Sequence, residues 1–323
     1  MLSDDALTRL PPGQVTVRAA LECQAAAIIE TGRSLDEARQ LLAREHYFGT
    51  WERALADGDR IIDRDFEAAA DAIVDGELAT LEELLARRPE LARARSEYGH
   101  HQTLLQHVAA NGIEATRQWQ SPANACELAR VLVAAGADPD ATCDSYNGSD
   151  TALTLVCSSA HPAIAGTQAD LVVVLCRGGA SVDGLAGDSA PLWTACVWGY
   201  VAAVDRLVHC GARADNVVLA AATGKLDEVK RYFAPDGRLS PQPTLAIAGH
   251  GKQLAAEHML EYALIYAAGL DRRDVVAFLL TKQPDPAVTE PVYNATALEV
   301  ARYSHPAAGR PDGNPAIVAL LAP

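Results

Sequence analysis

Aromatic residues are scarce in this sequence of 323 residues: Phe, Trp and Tyr make up 5% of it, whereas the hydrophobic set reaches 49%. A core must therefore be built mainly from Ala, Leu and Val, which suits close packing between helices better than a β-sandwich. The normal apolar content excludes a wholly disordered chain. The length alone, at roughly 150 residues per domain, favours two compact domains.

Other absences narrow the function. No run approaches the roughly 20 apolar residues that span a bilayer, and the acidic start is no secretory signal. The seven cysteines are odd in number and include no C-x-x-C pair, so we expect neither a disulfide framework nor a zinc site. A net charge of −15 without a basic stripe argues against nucleic-acid binding. We expect a soluble, reduced, cytoplasmic protein, and the preference for Arg over Lys indicates a bacterial source.

Catalytic motifs are also missing. The sequence has no Walker A motif, no G-x-S-x-G and no H-E-x-x-H, and nothing in it calls for a cofactor. His100, His101 and His107, with Glu97 nearby, are the one grouping that resembles a metal cluster. Their spacing does not place two rings one helical turn apart, so polar loop and helix-surface histidines are the favoured interpretation.

What the sequence does contain is an internal repeat. Three segments, 103–138, 151–180 and 190–212, share one pattern: a short apolar helix, a second apolar helix, and a Gly-Ala or Gly-Gly-Ala end. Thr103 and Thr151 stand where a hydroxyl caps the first helix, and Pro191 stands in a first turn, where it loses no hydrogen bond. Gly136 and Gly211 stand where a second helix ends in a left-handed residue.

These segments resemble ankyrin repeats, whose signature is T-P-L-H-x-A followed by a second helix. Weaker copies follow the same pattern at 66–85, 219–229, 260–280 and 296–321, with Asp271 where Gly would be expected. The resemblance implies an all-α solenoid of about six helix-turn-helix repeats over 66–323, with short hairpin or loop fingers. Residues 1–65 are expected to form a helical cap, with one helix from Ser34 to about His46 and a second near Trp51. One elongated stack thus replaces the two domains that length alone favoured.

Departures from the repeat mark the irregular places. The first and second copies are longer than the third, and their extra residues fall between the paired helices, at 113–124 and about 158–168. After Gly211 the array is expected to bend or split, because the next finger is nearly absent. The Pro- and Gly-rich stretch within 235–258 predicts an irregular loop, and 304–314 predicts another.

The resemblance implies a protein that binds a protein partner through its finger tips and the concave face of its first helices. Mapped onto this sequence, the expected partner-contacting residues are His100, Gln102, Asn111, Tyr146, Asn147, Asp150, Asp188, Trp198 and Tyr200. The aromatic members are typical of interface anchors, although routine packing under the fingers explains them equally well.

The alternative is an atypical enzyme or small-molecule binder that uses the two insertions. Neighbouring repeats would place these loops side by side, and the expected pocket residues are Arg117, Gln118, Trp119, Asn124, His161 and Gln168. Mutual packing of the loops around Trp119 is the competing interpretation. Cys157 and His161 suggest a nucleophile and a base, but Cys157 occupies a core position of the repeat.

Overall fold

The computed structural model describes residues 13–110, 119–145, 148, 150–303 and 305–322, and helices dominate them. The predicted all-α class is confirmed, with one short pair of strands as the exception. The chain divides into two compact units: unit 1 is Met1–Thr167 and unit 2 is Gln168–Pro323. Within the described part, no helix is both long and apolar enough to cross a bilayer.

In the described part of unit 1, which begins at residue 13, three helices precede the repeats: α1 is Val17–Ile29, α2 is Leu35–Glu45 and α3 is Trp51–Ala54. At the start of these helices, the side-chain oxygens of Thr16, Ser34 and Thr50, respectively, each accept a hydrogen bond from a backbone N–H of the first turn. The predicted start at Ser34 is confirmed, with a reciprocal bond from Glu37. The buried faces of these helices form one core that includes Tyr98 from the first finger. A cap boundary at residue 65 stays a prediction.

The repeats of unit 1 are antiparallel helix pairs. Their helices are α4 (Arg64–Asp75), α5 (Leu78–Arg87), α6 (Leu104–His107), α7 (Ala125–Ala134), α8 (Ala152–Ser158) and α9 (Ala160–Ile164), with a 3₁₀ turn at Pro89–Arg93. First helices pack in the row α4–α6–α8, and second helices α5 and α7 pack beside each other. The short helix α9 lies inside the second predicted insertion.

Unit 2 continues the same pattern. Its helices are α10 (Gln168–Arg177), α11 (Ala190–Val197), α12 (Val201–His209), α13 (Val217–Ala222), α14 (Leu226–Lys230), α15 (Met259–Gly269), α16 (Arg273–Leu280), α17 (Ala297–Arg302) and α18 (Pro315–Leu321), with 3₁₀ turns at Ala256–His258 and Pro306–Ala308. First helices pack in the row α11–α13–α15–α17. Among the second helices, α10 packs with α12, α14 packs with α16, and α16 packs with α18.

Small side chains allow this close packing. Ala220, Ala221 and Ala222 in α13 are fully buried, as are Ala263 and Ala267 in α15. Because alanine projects only a methyl group, two such helices approach closely while still filling the space between them. The predicted core of Ala, Leu and Val is confirmed.

Helix ends follow the predicted chemistry. Thr103, Thr151 and Thr296 each accept a backbone N–H from the residue three positions ahead. Before α11 the capping residue Ser189 has φ +61°, and its side chain makes no capping hydrogen bond. Asp271 adopts φ +60°, the left-handed conformation that the repeat needs where Gly was expected. Asp tolerates this region better than most residues because its side chain bonds locally.

One expectation needs correction. The stretch 235–258 is more ordered than an irregular loop, since strands β1 (Leu245–Ile247) and β2 (Lys252–Leu254) pair antiparallel within it, with Leu245 opposite Leu254. The boundary between the two compact units falls between Thr167 and Gln168, inside the second predicted repeat. The bend or split expected after Gly211 stays a prediction.

The cap of α13 offers a test of how far a single helix start stabilises unit 2. Asn216 is 7% exposed, and its Oδ1 accepts the N–H of Leu219 at 2.9 Å. Replacing Asn216 with Ala leaves that N–H without its acceptor, so we expect the free energy of unfolding in urea to fall by about 1 kcal/mol. Asn216→Ser keeps a capping oxygen and should retain most of the stability; equal losses in the two variants would contradict the assignment.

A second test concerns the carboxylates at the start of α4. Burial acts to raise the pKa of Asp63, but hydrogen bonds from the Arg88 side chain and from the N–H groups of Phe66 and Asp65 hold that pKa below its usual value. This stabilisation is present above the unfolded-state pKa of about 4 and is lost as the pH falls through the lower folded pKa. We expect Arg88→Gln to lower the free energy of unfolding by about 1 kcal/mol at pH 7, which is the size measured for partly exposed ion pairs. At pH 3 the same substitution should lower it by less.

Arg87→Gln is the matched control for this measurement. Arg87 is 54% exposed in its side chain and pairs only with Asp65, at 2.9 Å. Its substitution should therefore change stability less at either pH. Urea titrations at the two pH values that gave the same pH dependence for both variants would overturn the role assigned to Arg88.

Candidate functional site

Two residues expected to contact a partner are buried instead. His100 is 6% exposed, its ring stacks on Phe48 with centroids 4.2 Å apart, and its Nε2 donates to the carbonyl of His46 at 2.6 Å. Burial lowers the pKa of His100. Gln102 is fully buried. The His100 side chain joins its loop to the segment after α2, and neither buried side chain offers surface to a partner.

The remaining candidates in unit 1 include three that lie outside the described residues: Asn111, Tyr146 and Asn147. Asp150 is partly buried, and burial raises the pKa of its carboxyl to about 6. His101 is held between two carboxylates, with Nδ1 2.7 Å from Asp144 Oδ2 and Nε2 3.7 Å from Asp57 Oδ2. In the described part of the chain no three potential metal ligands converge.

The predicted pocket is described only in part, because Arg117 and Gln118 lie outside the described residues. The two insertions do meet: Ser121 Oγ lies 3.2 Å from Thr167 Oγ1. Trp119, however, is 43% exposed and is not the buried centre of these loops.

The other candidates for this pocket serve the scaffold or are covered. The Asn124 side chain donates to the carbonyl of Gly76 at 2.8 Å. His161 is partly buried, which lowers its pKa, and Gln168 is 4% exposed within unit 2. A ligand pocket between the insertions stays a prediction. A cleft of 380 Å³ lies elsewhere in unit 1, and its lining is Ala92, Arg93, Arg95, Thr103, Ala137, Asp138, Pro139 and Ala141.

In unit 2 the three candidates have different environments. Asp188 is exposed, and its carboxylate accepts the N–H of Ala190 at 3.2 Å. Trp198 is 42% exposed, but Tyr200 is only 3% exposed. Tyr200 therefore supports the surface from beneath, whereas Trp198 is available to a partner. Trp193, in the middle of α11, is buried edge-on against Tyr266.

Two further tyrosines stand beside this pair. Tyr293 is 54% exposed and Tyr303 is 64% exposed. Burial raises the pKa of Tyr200 to about 12, and the neighbouring phenols of Tyr293 and Tyr303 raise it further. We call the exposed side chains of Trp198, Tyr293 and Tyr303 the aromatic surface.

His305 connects the parts of this site. Its ring lies 5.3 Å from the Tyr200 ring and 5.9 Å from the Tyr303 ring, centroid to centroid. Its Nε2 donates to the carbonyl of Trp198 at 2.7 Å. Burial lowers the pKa of His305, and the charge of Arg310 acts in the same direction while the bond to Trp198 opposes them. The loop after α17 is thereby joined to the end of α11.

Two helix ends and one turn position the aromatic side chains. Trp198 is the C-cap residue of α11, and Tyr303 is the C-cap residue of α17. Tyr293 lies in a turn whose N–H groups at Val292 and Tyr293 are both accepted by the Glu290 carboxylate at 2.7 Å. Glu290 is 3% exposed, so this turn is anchored in the interior.

Arg310 lies at the edge of the aromatic surface. Its backbone pairs with His305 in both directions across the loop, and its side chain points toward the turn at Gly199. The guanidinium nitrogens Nε and Nη1 are buried and lack a hydrogen-bond acceptor among the described residues. Burial lowers the pKa of Arg310, and the charge of Asp271 opposes this shift.

Of this group, the sequence analysis named only Trp198 as a candidate, and Tyr293, Tyr303, His305 and Arg310 were not among the expected contact residues. A partner contact at any of them stays a prediction. The segment 304–314 had been interpreted only as an interruption of the last repeat. A usable signal was present: this insertion carries His305 and Arg310 directly after Tyr303, and inserted polar and aromatic residues between repeat helices are a common mark of function.

Comparisons with known proteins show a similarity to solved structures. No protein-family model and no curated protein matches the sequence. Among solved structures, the chain is similar to the crystal structure of the human ASB11 ankyrin repeat domain, at 17% sequence identity and a TM-score of 0.41, covering 79% of this chain and 97% of that chain. The description of the fold as ankyrin-type depends on the repeated helix pairs and their caps.

The glycine at the centre of the site gives a test of its packing. Gly199 has φ +71°, and a Cβ built there would lie 2.9 Å from Arg310 Nη2. Gly199→Ala should therefore lower the free energy of unfolding by roughly 1 to 2 kcal/mol, because alanine is strained in the left-handed conformation. The new Cβ should also displace the guanidinium. Urea unfolding measures the first effect, and the Nε–H resonance of Arg310, assigned with Arg310→Lys, measures the second.

Gly309→Ala supplies the control, since Gly309 has φ +75° and open space around its Cβ position. It should lose a similar amount of stability for the backbone alone and leave the arginine resonance in place. Identical spectra for the two alanine variants would contradict the close approach of Gly199 and Arg310.

Proposed function

We propose that this chain is a protein-binding scaffold that contacts its partner through the aromatic surface of unit 2. Stacked helix pairs provide a rigid support, and the ankyrin-type fold is a typical scaffold for protein–protein interaction. That argument is one of analogy, so the specific site must come from the residues.

The observation that carries the proposal is the clustering of exposed aromatic side chains. Trp198, Tyr293 and Tyr303 leave 42%, 54% and 64% of their surface in solvent, around a buried Tyr200. Scattered apolar residues at a surface need no explanation, but Trp, Tyr and Arg grouped together have the composition of interface hot spots. The His305 ring packs on the Tyr303 ring and donates to the carbonyl of Trp198, and such contacts lower the entropy lost when a partner binds.

Trp198 and Tyr303 lie at turns that join first to second helices, and Tyr293 lies in the loop before α17. The proposed surface is therefore a narrower region than the whole concave face that the resemblance implied. Trp198 remains from the predicted contact residues, with Tyr293 and Tyr303 added. We place the interaction in a reducing cytoplasm, where the cysteines of the described chain, which form no disulfide with one another, would stay reduced.

Truncating the surface tests this proposal. We expect Trp198→Ala combined with Tyr303→Ala to weaken retention of partners from a host extract by at least tenfold, because a hot-spot residue contributes about 2 kcal/mol or more. Retention is quantified by mass spectrometry on immobilised full-length chain. Tyr200 is unsuitable for this purpose, since its burial makes its truncation a test of stability.

Trp119→Ala is the matched control, because Trp119 is 43% exposed in unit 1 and belongs to the predicted insertion pocket. It should leave retention unchanged. Partners lost with Trp119→Ala and kept by the double variant would refute the proposal and favour the alternative site at the insertions.

A further inference from the structure

We propose that Arg310 is a carboxylate-binding residue, and that it takes an acidic side chain or the C-terminal carboxylate of the partner segment that packs on Trp198 and Tyr303. This inference rests on the proposed function, because it names the chemistry of the partner at the same surface. It assigns a role to the group in the site that the scaffold leaves unsatisfied.

The first argument is the incomplete bonding of the guanidinium. Nε and Nη1 of Arg310 are buried without an acceptor, and no ion pair joins this residue to a described carboxylate. Buried donors on a charged group are costly unless they are bonded, and an unsatisfied one in a folded protein calls for a ligand, an ion or water. Other arginines of unit 2 show the usual solution: Arg272 donates to the Asp205 carboxylate and to the carbonyl of Ala222, both at 2.7 Å.

Access to Arg310 is the second argument. The residue is partly exposed, and its Nη2 lies close to the turn at Gly199, where an added Cβ would come within 2.9 Å of it. A carboxylate that approaches from solvent meets the exposed part of the side chain first, and rotation of the terminal side-chain torsions brings a second nitrogen to it. A planar guanidinium binds a carboxylate with two parallel hydrogen bonds, which fixes direction as well as affinity.

The charge balance selects a carboxylate over a polyanion. The single guanidinium of Arg310, at the edge of the aromatic surface, compensates one negative charge. A phosphate group or a nucleic-acid backbone would bring more charge than the site neutralises, against a protein of net charge −15. The Asp271 carboxylate, whose charge already acts on Arg310, would repel a second charge further.

The aromatic neighbours supply the rest of the recognition. Trp198 and Tyr303 are joined through His305, so a carboxylate at Arg310 lies beside a surface that favours an aromatic or large apolar side chain. Aromatic pairs contribute beyond the area that they bury. The expected partner segment therefore carries a carboxylate next to such a residue.

Selection from random peptides tests this assignment with the full-length chain. One library arm displays peptides with a free C-terminus, and the other displays them with the C-terminus fused, so that the first reports terminal and the second internal carboxylates. Wild-type protein should enrich Asp, Glu or a free terminus beside an aromatic residue. The same selection on Arg310→Gln should keep the aromatic preference and lose the acidic one.

Affinities of one selected peptide then provide the quantitative test. Replacing its Glu by Gln, or amidating its terminus, should weaken binding to wild type by about tenfold or more and should change binding to Arg310→Gln little. Asp271→Asn removes the competing negative charge while keeping a residue that tolerates φ +60°, so the acidic peptide should bind it more tightly. Arg231→Gln, at an exposed arginine after α14, should bind as wild type does.

The outcomes separate the two proposals. Peptides whose binding depends on Trp198 but shows no acidic enrichment in either arm, or no loss on the Glu-to-Gln change, overturn the role of Arg310 and leave the aromatic surface standing. A wild-type chain that enriches no peptide, or one whose peptides bind Trp198→Ala as tightly, overturns both. If Arg310→Gln fails to fold, the Glu-to-Gln peptide and Asp271→Asn decide the question alone.

Discussion

Alanine packing between first helices is the interaction on which the rest of unit 2 depends. In α13 and α15 the facing positions carry methyl groups that are fully buried, and the two helices lie in the row α11–α13–α15–α17. Larger side chains would hold the helices apart, since cores packed to this density accept little extra volume. The scarcity of aromatic residues in the chain is therefore a requirement of the packing rather than a neutral feature of composition.

The large aromatic side chains of unit 2 have two kinds of environment. Trp198 and Tyr303 lie at helix ends, as the C-cap residues of α11 and α17. Trp193 of α11 and Tyr266 of α15 are buried within their helices and pack edge to face. The turns thus combine exposed aromatic area with a rigid support, and the loop after α17 adds His305 and Arg310 to the same place.

Much of the fold could be predicted because its signals are local. Ser34 with Glu37, and Thr296 with Glu299, each specify a helix start within one turn of chain. Of the proposed surface, only Trp198 was named from the sequence. Tyr293 and Tyr303 lie about a hundred residues further along, and nothing within a single repeat indicates which turns come together.

The sequence by itself determined the all-α class, the helix pairs and most of their boundaries, because capping and turn formation involve residues three or four positions apart. Only the tertiary structure decided which side chains face solvent. His100 and Tyr200 have the residue types of an exposed site, yet contacts with Phe48 and His305 bury them. The tertiary structure likewise buries Arg310 Nε and Nη1 without an acceptor among the described residues, because neighbours from distant parts of the chain cover them.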